Sequence, residues 1–425
     1  MNKKRFVISS PFDTYSGYGA RSRDIIKAII ETGKYEVELL SQRWGETSWG
    51  FCKDHPEWTF LLKHLAKPTW QQTKPELWMQ ITIPNEFQPV GKFNIGLTAG
   101  IESTACKGEW IEGLNRMDLN WVSSVHASNV FKGASFDRID QKSQQKVGTL
   151  VLEKPLEVIF EGVDLTTYKP IGNEEQTTFN LDSIKESFCY LFVGHWMQGE
   201  LGHDRKNVGV LIRDFYETFK NTTGPKPALI LKSSVGVASY ISRDEILDRI
   251  KRIRKSINST NLPNIYVING EFTDSEMNEL YNHPKVKAMV STTKGEGFGR
   301  PLLEFSTTGK PIIATGWSGH IDFLHNEFCV LLPGILENVH PSAANNWLIK
   351  EGKWFQVSSP HLKQSLKDVY KKYKQYSIGG KRQSHYATTN FSWGKMKELV
   401  ESSLDKNVPD FPTEIKIQLP KLQKI

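Results

Sequence analysis

The sequence has few cysteines and no long hydrophobic run, and these absences exclude several classes of protein. The four cysteines, Cys52, Cys106, Cys189 and Cys329, are scattered over 425 residues, which fits neither a disulfide framework nor a metal-binding spacing. No apolar run approaches the roughly 20 residues that a membrane-spanning helix needs. The sequence therefore predicts a protein of the reducing cytoplasm that does not insert into a membrane.

The charge is moderately basic, with a formal net charge of +7 and a pI near 8.9. The excess is either spread over solvated faces or directed at a polyanionic partner, because phosphate contacts are made by Lys and Arg. Candidate basic clusters are Arg249–Lys255, Lys371–Lys374 and Lys381–Arg382. None is interleaved with the aromatic residues typical of a platform for single-stranded nucleic acid. Charge alone leaves both interpretations open.

The length and the order of predicted elements indicate two α/β domains. A chain of 425 residues exceeds one ordinary hydrophobic core. Buried-strand patterns alternate with helical patterns in both halves, which is typical of doubly wound parallel sheets. We place the domain junction in the weakly periodic segment 171–186, which gives a first domain of residues 1–170 and a second of residues 171–386. A helix and an extended tail follow over residues 387–425.

A glycine-containing loop follows the first predicted strand, Phe6–Ser10. Ser16, Gly17, Tyr18 and Gly19 precede a helical pattern that begins at Ser22. Glycines at this position let backbone N–H groups approach a ligand at a helix N-terminus. The third glycine of a dinucleotide-binding fingerprint is missing, so a simple tight turn is the alternative.

Two further polar residues follow predicted strands of the first domain, on the side where a cleft is expected. Glu102 comes shortly after Phe93–Thr98, and His126 comes just after Leu119–Ser124. A single loop histidine either contacts substrate or has a structural or solvated role. The Trp-rich segment 44–78 is predicted as an irregular insertion whose aromatics stack on sugars or bases, or belong to the core.

The most distinctive stretch is 290–324, VSTTKGEGFGRPLLEFSTTGKPIIATGWSGHIDFL. Its pattern predicts a strand, a glycine-rich turn with Glu296, a helix opening at Pro301 with Glu304, and a second strand. Two carboxylates that face one pocket from different elements can bind the hydroxyls of a sugar and a ribose. The N-terminus of the helix suits a diphosphate. The alternative is a capped helix with solvent-exposed glutamates.

This stretch closely resembles the donor-binding motif of retaining GT-B glycosyltransferases of family four, whose hallmark is two glutamates separated by seven residues. The segment EGFGRPLLE carries Glu296 and Glu304 at that spacing. The resemblance to the family extends to four other segments of the chain: Val158–Pro170, Tyr190–Gly194, Asp204–Asn207 and Phe391–Trp393. The resemblance implies two Rossmann-like domains that face a cleft, with a C-terminal helix that crosses back to the first domain.

The resemblance also implies roles for individual residues. Glu296 would contact the transferred sugar and Glu304 the ribose, while Lys206 would bind the diphosphate. The family usually has a second cation, an arginine, where this chain has His195. Arg205 or Lys232 is then the candidate for the missing charge.

The remaining candidate residues belong to the two walls of the implied cleft. Gly270 and Phe272 would lie beside the nucleobase. The other donor-binding candidates surround the paired glutamates: Gly297, Phe298, Gly299, Arg300, Pro301 and Leu302. On the opposite wall, the acceptor and the diphosphate would meet Ser16, Gly17, Tyr18, Gly19, Glu102 and His126.

The expected activity is transfer of a sugar, with retention of configuration, from a nucleoside diphosphate sugar such as a UDP-sugar. The leaving charge would be stabilised by cations and a helix N-terminus, a mechanism that needs no metal or permanently bound cofactor. The acceptor would be a glycan or a hydroxymethylated base in DNA, as with phage enzymes that glycosylate modified cytosine. The alternatives are a nucleotide-sugar epimerase and a noncatalytic nucleotide- or nucleic-acid-binding protein.

Overall fold

The first domain is built on a sheet of six parallel strands in the order β2-β1-β3-β4-β5-β8. The computed structural model describes residues 3–45, 47–172 and 179–412. The strands are β1 (Lys4–Ser10), β2 (Tyr35–Ser41), β3 (Leu77–Ile81), β4 (Phe93–Thr98), β5 (Leu119–Val122) and β8 (Leu156–Val158), with a hairpin of β6 (Phe136–Ile139) and β7 (Lys146–Leu150). The helices are α1 (Gly17–Glu31), α2 (Phe51–Asp54), α3 (Gly108–Arg116) and α4 (Val125–Gly133), with 3₁₀ turns at Pro56–His64, Trp70–Gln72 and Pro84–Glu86.

The second domain repeats this architecture with a parallel sheet in the order β11-β10-β9-β12-β13-β14. Its strands are β9 (Cys189–Val193), β10 (Ala228–Lys232), β11 (Ile265–Ile268), β12 (Val286–Ser291), β13 (Ile312–Thr315) and β14 (Val330–Leu332), with a hairpin of β15 (Gly334–Asn338) and β16 (Lys353–Val357). The helices are α5 (Val208–Phe219), α6 (Tyr240–Ser256), α7 (Asp274–Asn282), α8 (Arg300–Ser306), α9 (Ser359–Lys371) and α10 (Tyr373–Asn390), with a 3₁₀ turn at Gly319–Asp322. The C-terminal helix α11 (Trp393–Asn407) follows.

The strand orders position the candidate site. In the second sheet, β9 lies beside β12, and the chain leaves these two strands toward opposite edges. Such a switch point opens a crevice at the carboxyl ends of the two strands, where ligands of doubly wound sheets bind. The loops that follow β9 and β12 carry Lys206 and Glu296. In the first sheet, β1 and β3 form the equivalent switch point, and the loop with Gly17 follows β1.

Both sheets are covered on their two faces, as parallel sheets require. Phe6, Val7 and Ile8 of β1 are fully buried, as are Leu229 and Leu231 of β10. The run of apolar residues along each of these strands follows from burial on both faces. This packing holds the loops at the carboxyl ends on rigid supports.

The C-terminal helix α11 packs on the first domain, as the resemblance implies. Met396, Val400 and Leu404 are buried in one cluster with Ile25 and Ile29 of α1. The indole of Trp121 on β5 donates a hydrogen bond of 3.0 Å to Ser403 on this helix. The chain therefore crosses from the second domain back to the first.

Several local expectations change in the structure. Helix α1 begins at Gly17, before the expected start at Ser22, because Ser16 caps it by accepting from the Gly19 N–H at 2.9 Å. The strand expected at Leu119–Ser124 ends at Val122, since Ser124 caps α4. The residues from 413 onward, including Pro420 of the expected extended tail, lie outside the described residues. No helix in the described ranges is long and apolar enough to cross a membrane.

Candidate active site

The candidate site lies where the loops after β9 and β12 meet. The Lys294 N–H donates to the Arg205 carbonyl at 2.7 Å, and the Thr292 hydroxyl donates to the Asn207 carbonyl at 3.2 Å. These bonds tie the two loops together outside the regular sheet. They bring Arg205 and Lys206 against the glutamate of the glycine-rich turn.

Glu296 is held by two cations. Its carboxylate oxygens lie 2.5 Å from Lys206 Nζ and 3.3 Å from Arg205 Nη1. Its backbone N–H donates to the hydroxyl of Ser318 at 2.9 Å. Burial by itself would raise the pKa of Glu296, but the charges of Lys206 and Arg205 outweigh it and lower the pKa to about 2. The side chain is therefore a fixed, ionised carboxylate with 11% of its surface exposed.

Arg205 connects the two domains at this point. Its Nη1 donates to the Gly295 carbonyl at 2.9 Å and lies 3.8 Å from the carboxylate of Glu102 in the first domain. Burial lowers the pKa of the neighbouring Lys206, against the opposing pull of Glu296. The structure thus brings Glu296, Lys206, Arg205 and Glu102 together in one cluster.

His195 stands where the family usually has an arginine, and it does not replace the charge of that arginine. Ser234 donates to the Gly236 carbonyl at 3.0 Å, so its oxygen accepts from His195 Nδ1 at 2.8 Å. Burial, together with the nearby Lys206 and Lys232, lowers the pKa of His195 to about 4. The imidazole is neutral near pH 7, and positive charge at this edge comes from lysine and arginine.

Lys232 stands at the end of β10, beside the segment expected near the nucleobase. Its ammonium donates to the Gly270 carbonyl at 2.8 Å and lies 4.9 Å from the centre of the Phe272 ring. Burial lowers its pKa. Lys232 is thus engaged with Gly270 and Phe272, whereas Arg205 is engaged with Glu296.

Glu304 has its own set of partners, separate from those of Glu296. Arg300 Nε donates to it at 2.9 Å and the Tyr281 hydroxyl at 3.2 Å. Burial raises the pKa of Glu304 to about 7, and the Arg300 charge only partly offsets this effect. This carboxylate therefore gains and loses its proton near neutral pH.

Arg300 also reaches across to the first domain. Its Nη1 lies 2.5 Å from Asp24 on α1. Asp24 is buried and was not among the candidate residues. The guanidinium therefore joins Glu304 to the opposite domain.

At two positions of the glycine-rich turn the structure requires glycine, and the reason differs between them. Gly299 precedes α8 with φ at 100°, a left-handed conformation that disfavours side chains. A Cβ on Gly297 would lie 2.6 Å from the Ala99 carbonyl of the first domain, so only glycine permits this approach. Pro301 occupies the first turn of α8, where its missing N–H costs nothing.

Two of the expected donor-binding side chains point into the core. Phe298 and Leu302 are buried in the hydrophobic cluster under α8. The Phe298 ring lies 4.9 Å from that of Phe323. These residues position the turn through packing, and only their backbone is left to contact a ligand.

The loop after β1 forms part of the opposite wall. Ser16 caps α1, and Gly17 is exposed with open space around its Cα. Gly19 is packed tightly, since a Cβ there would collide with the Thr14 carbonyl. The Tyr18 hydroxyl is 2.9 Å from that of Thr98, at the end of β4. Of these residues, Gly17 is the one placed for close approach by a ligand.

A groove of about 820 Å³ opens beside the cluster, between the first domain and the β15–β16 side of the second. Its walls include His126 and Trp317, whose ring centres are 4.7 Å apart. Trp317 also approaches the glutamate turn, since a Cβ on Gly295 would lie 3.1 Å from its ring. Burial lowers the pKa of His126 to about 4, and its Nε2 has no hydrogen-bond partner among the described residues. His126 therefore lines a groove next to the cluster.

The described ranges contain no group of three or more His, Cys, Asp and Glu side chains arranged to hold a metal ion. Independence of a metal stays a prediction.

Comparisons with known proteins identify the fold. No family model matches the sequence, and no curated protein sequence does. The structure is similar to sucrose-phosphate synthase from Thermosynechococcus elongatus, with a TM-score of 0.63 and 12% identity over 95% of this chain and 99% of that one. This is the GT-B fold.

Two further solved structures have the same two-domain GT-B architecture. A glycosyltransferase from Rickettsia africae matches with a TM-score of 0.61 and 12% identity over 97% of this chain and 100% of that one. Anabaena HepE, solved in complex with UDP-glucose, matches with a TM-score of 0.58 and 13% identity over 95% of this chain and 100% of that one. The structural similarity extends over both domains, and at this level of sequence identity it shows the fold.

Several residues of the site were missed by reasoning from sequence, among them Asp24, Ser318 and Trp317. Asp24 stands within the first predicted helix, and its burial is visible only in the structure. Ser318 has φ at 79°, a strained conformation for a residue other than glycine, and its hydroxyl holds the Glu296 backbone. Trp317 precedes it within the stretch 290–324 and showed no pattern that distinguished it from a core residue.

Proposed function

We propose that this GT-B protein is a retaining glycosyltransferase that moves a sugar from a nucleoside diphosphate sugar to an acceptor hydroxyl. The observation that carries the proposal is the contact of Glu296 with Lys206 and Arg205, at the carboxyl edge of the second sheet. This arrangement places an ionised hydrogen-bond acceptor beside two cations. A sugar linked to a diphosphate needs both.

The cations have the role of stabilising the diphosphate as it leaves. Lys206 is the lysine named by the resemblance, and Arg205 is the second cation. Arg205 fits better than Lys232 because it contacts the same carboxylate as Lys206, whereas Lys232 is bonded to the Gly270 carbonyl. Positive charge fixed in a water-poor site stabilises a developing anion without reorganisation. In the proposed reaction the acceptor proton passes to the departing phosphate.

The nucleoside is assigned to the α8 side of the crevice. Glu304 would accept hydrogen bonds from the ribose, with the base near Gly270 and Phe272. We propose uridine as the base, and the Anabaena HepE complex with UDP-glucose supports this choice on the same fold. Another structural neighbour, from Rickettsia africae, is a glycosyltransferase.

Retention of configuration is proposed from the resemblance to retaining glycosyltransferases. Glu296 is paired with two cations, and Glu304 is bonded to Arg300 and Tyr281. With the donor bound, Glu296 is assigned to the hydroxyls of the transferred sugar and Glu304 to the ribose, so neither has the role of a nucleophile. The resemblance then implies substitution in which the acceptor enters on the face from which the diphosphate leaves.

The groove between His126 and Trp317 is the proposed acceptor site. Its charged lining residues are Lys107, Glu109 and Glu351, and Lys107 lies 3.7 Å from Glu109. This lining carries no excess of positive charge, which a DNA duplex would require. We therefore propose an uncharged glycan as the acceptor, with hydroxymethylated DNA as the competing outcome of the test.

The test is incubation of labelled nucleotide sugars with candidate acceptors, followed by separation of the products. We expect transfer of label to a glycan with release of UDP, and loss of transfer in Glu296→Ala with an unchanged circular dichroism spectrum. Near-normal turnover of Glu296→Ala would contradict the assignment. Label on modified DNA would overturn the acceptor assignment, and a free epimer of the donor formed without acceptor would overturn transfer.

A further inference from the structure

The cations and carboxylates at the centre of the site neutralise one another. Lys206 and Arg205 lie 2.5 and 3.3 Å from the oxygens of Glu296, and Arg205 lies 3.8 Å from Glu102. Glu296 belongs to the second domain and Glu102 to the first. These are the same cations that the proposed function assigns to the diphosphate. The protein's own carboxylates therefore engage the groups that the donor needs.

We propose that Glu296 and Glu102 act as an internal counter-ion that the diphosphate must displace from Lys206 and Arg205. The inference rests on the proposed function and adds an exchange of partners to it. When the donor binds, its diphosphate takes the two cations. Glu296 then turns to the hydroxyls of the transferred sugar.

The exchange of partners affects binding of the donor differently from binding of the spent nucleotide, which is the nucleoside diphosphate left after transfer. A buried carboxylate gives up a cation at little cost only if new hydrogen bonds replace the lost ones. The sugar of the donor offers hydroxyls to Glu296. A nucleoside diphosphate without a sugar leaves Glu296 unsatisfied beside additional negative charge. Glu296 therefore opposes binding of the spent nucleotide more than binding of the donor, and favours product release.

The two carboxylates contribute unequally. Glu296 has 11% of its side chain exposed and makes the shorter contacts. Glu102 has 37% exposed, and its contact with Arg205 is longer. Solvent screens the exposed pair more strongly. We expect Glu296 to dominate the effect, with a smaller contribution from Glu102.

The test is calorimetric titration of uridine, guanosine and adenosine diphosphates into the wild type, Glu296→Gln and Glu102→Gln. Glutamine keeps the shape and removes the charge. We expect at least about tenfold tighter binding of the preferred nucleotide to Glu296→Gln, which corresponds to about 1.4 kcal/mol. For Glu102→Gln we expect a smaller gain. The affinity for the matching nucleotide sugar should rise less than that for the free nucleotide.

Glu337→Gln is the matched control. Glu337 lies 2.7 Å from Lys294, so this variant removes a glutamate–lysine pair of the same domain without removing a partner of Lys206 or Arg205. Nucleotide affinity should be unchanged in it. An equal gain in the control would overturn the inference, because removal of negative charge anywhere in the domain would then suffice.

The outcomes separate the inference from the proposed function. If a nucleotide binds the wild type but binds Glu296→Gln equally or more weakly, the counter-ion role is wrong and the transferase proposal stands. If no nucleotide binds the wild type or the variants, both fail. If Glu296→Gln loses its cooperative thermal transition, the nucleotide affinity of Glu102→Gln becomes the test. Unchanged or weaker nucleotide binding to Glu102→Gln would then contradict the counter-ion role.

Discussion

At the residue scale, the site depends on which cation completes the pair with Lys206. Arg205 touches Glu296 at 3.3 Å, and His195 is neutral because burial and neighbouring lysines lower its pKa to about 4. In the proposed site, the positive charge beside Lys206 therefore comes from Arg205 and not from His195.

This assignment predicts unequal effects of removing Arg205 and Lys232. Arg205→Ala should weaken nucleotide-sugar binding by about 1.5 to 3 kcal/mol, or roughly 10- to 150-fold, because a charge-assisted contact with the diphosphate is lost. Lys232→Ala should cost less, since its ammonium is bonded to the Gly270 carbonyl. Titration calorimetry on both variants measures the difference. A larger loss in Lys232→Ala would move the second cation to that residue.

Because of the raised pKa of Glu304, we expect donor binding to depend on pH. Its pKa in the free protein is raised to about 7 by burial, with Arg300 opposing the shift. Hydrogen bonds from ribose hydroxyls favour the ionised form, so the bound state has the lower pKa. Affinity should therefore rise as the pH increases through about 7 and level off above it. Binding measured from pH 5.5 to 8.5 should lose this step in Glu304→Gln; a step of the same size in the variant would assign it to another group.

At the element scale, the glycine-rich turn between β12 and α8 is shaped by the opposite domain. Gly297 faces the Ala99 carbonyl, and Arg300 reaches Asp24 at 2.5 Å. The local pattern predicted a turn and a helix start, and both are present. The partners were beyond local reasoning, because Asp24 and Arg300 are 276 positions apart in the chain.

The close approach at Gly297 predicts that Gly297→Ala holds the domains apart. The added Cβ would lie 2.6 Å from the Ala99 carbonyl, so the turn must withdraw. A displacement of about 1 Å at Glu296, which we propose binds the transferred sugar, would cost about a hundredfold in kcat. Solution scattering should show a larger radius of gyration than in the wild type. Gly148→Ala, with open space around it, is the control, and equal activity in the two variants would contradict this account.

At the scale of the whole molecule, alternating strand and helix patterns predicted the fold class, with strands and helices alternating in both halves. The parallel strands are buried on both faces, so their apolar runs are visible in sequence, and the motif with Glu296 and Glu304 was found from local spacing. Reasoning from sequence did not predict the β6–β7 and β15–β16 hairpins, which are only partly buried. It also missed the contacts across the cleft, because these depend on how the two domains meet.

Helix α11 makes the first domain dependent on the C-terminal end of the described chain. Leu404 is buried with the core of the first domain, whereas Leu399 on the same helix is 37% exposed. Leu404→Ala should lower the free energy of unfolding by about 2 to 5 kcal/mol. Leu399→Ala should change it by no more than about 0.5 kcal/mol. Chemical denaturation followed by tryptophan fluorescence measures both, and equal losses would show that α11 does not pack through this face.

The role of Lys206 in donor binding is tested most directly by titration of UDP-glucose and related nucleotide sugars into the wild type and Lys206→Ala. Lys206 lies 2.5 Å from Glu296, and we assign it to the donor's diphosphate. We expect saturable binding of at least one nucleotide sugar to the wild type, with one site per chain, and a loss of at least about tenfold in affinity in Lys206→Ala. Absence of binding to the wild type across the panel, or unchanged affinity in the variant, would contradict this assignment.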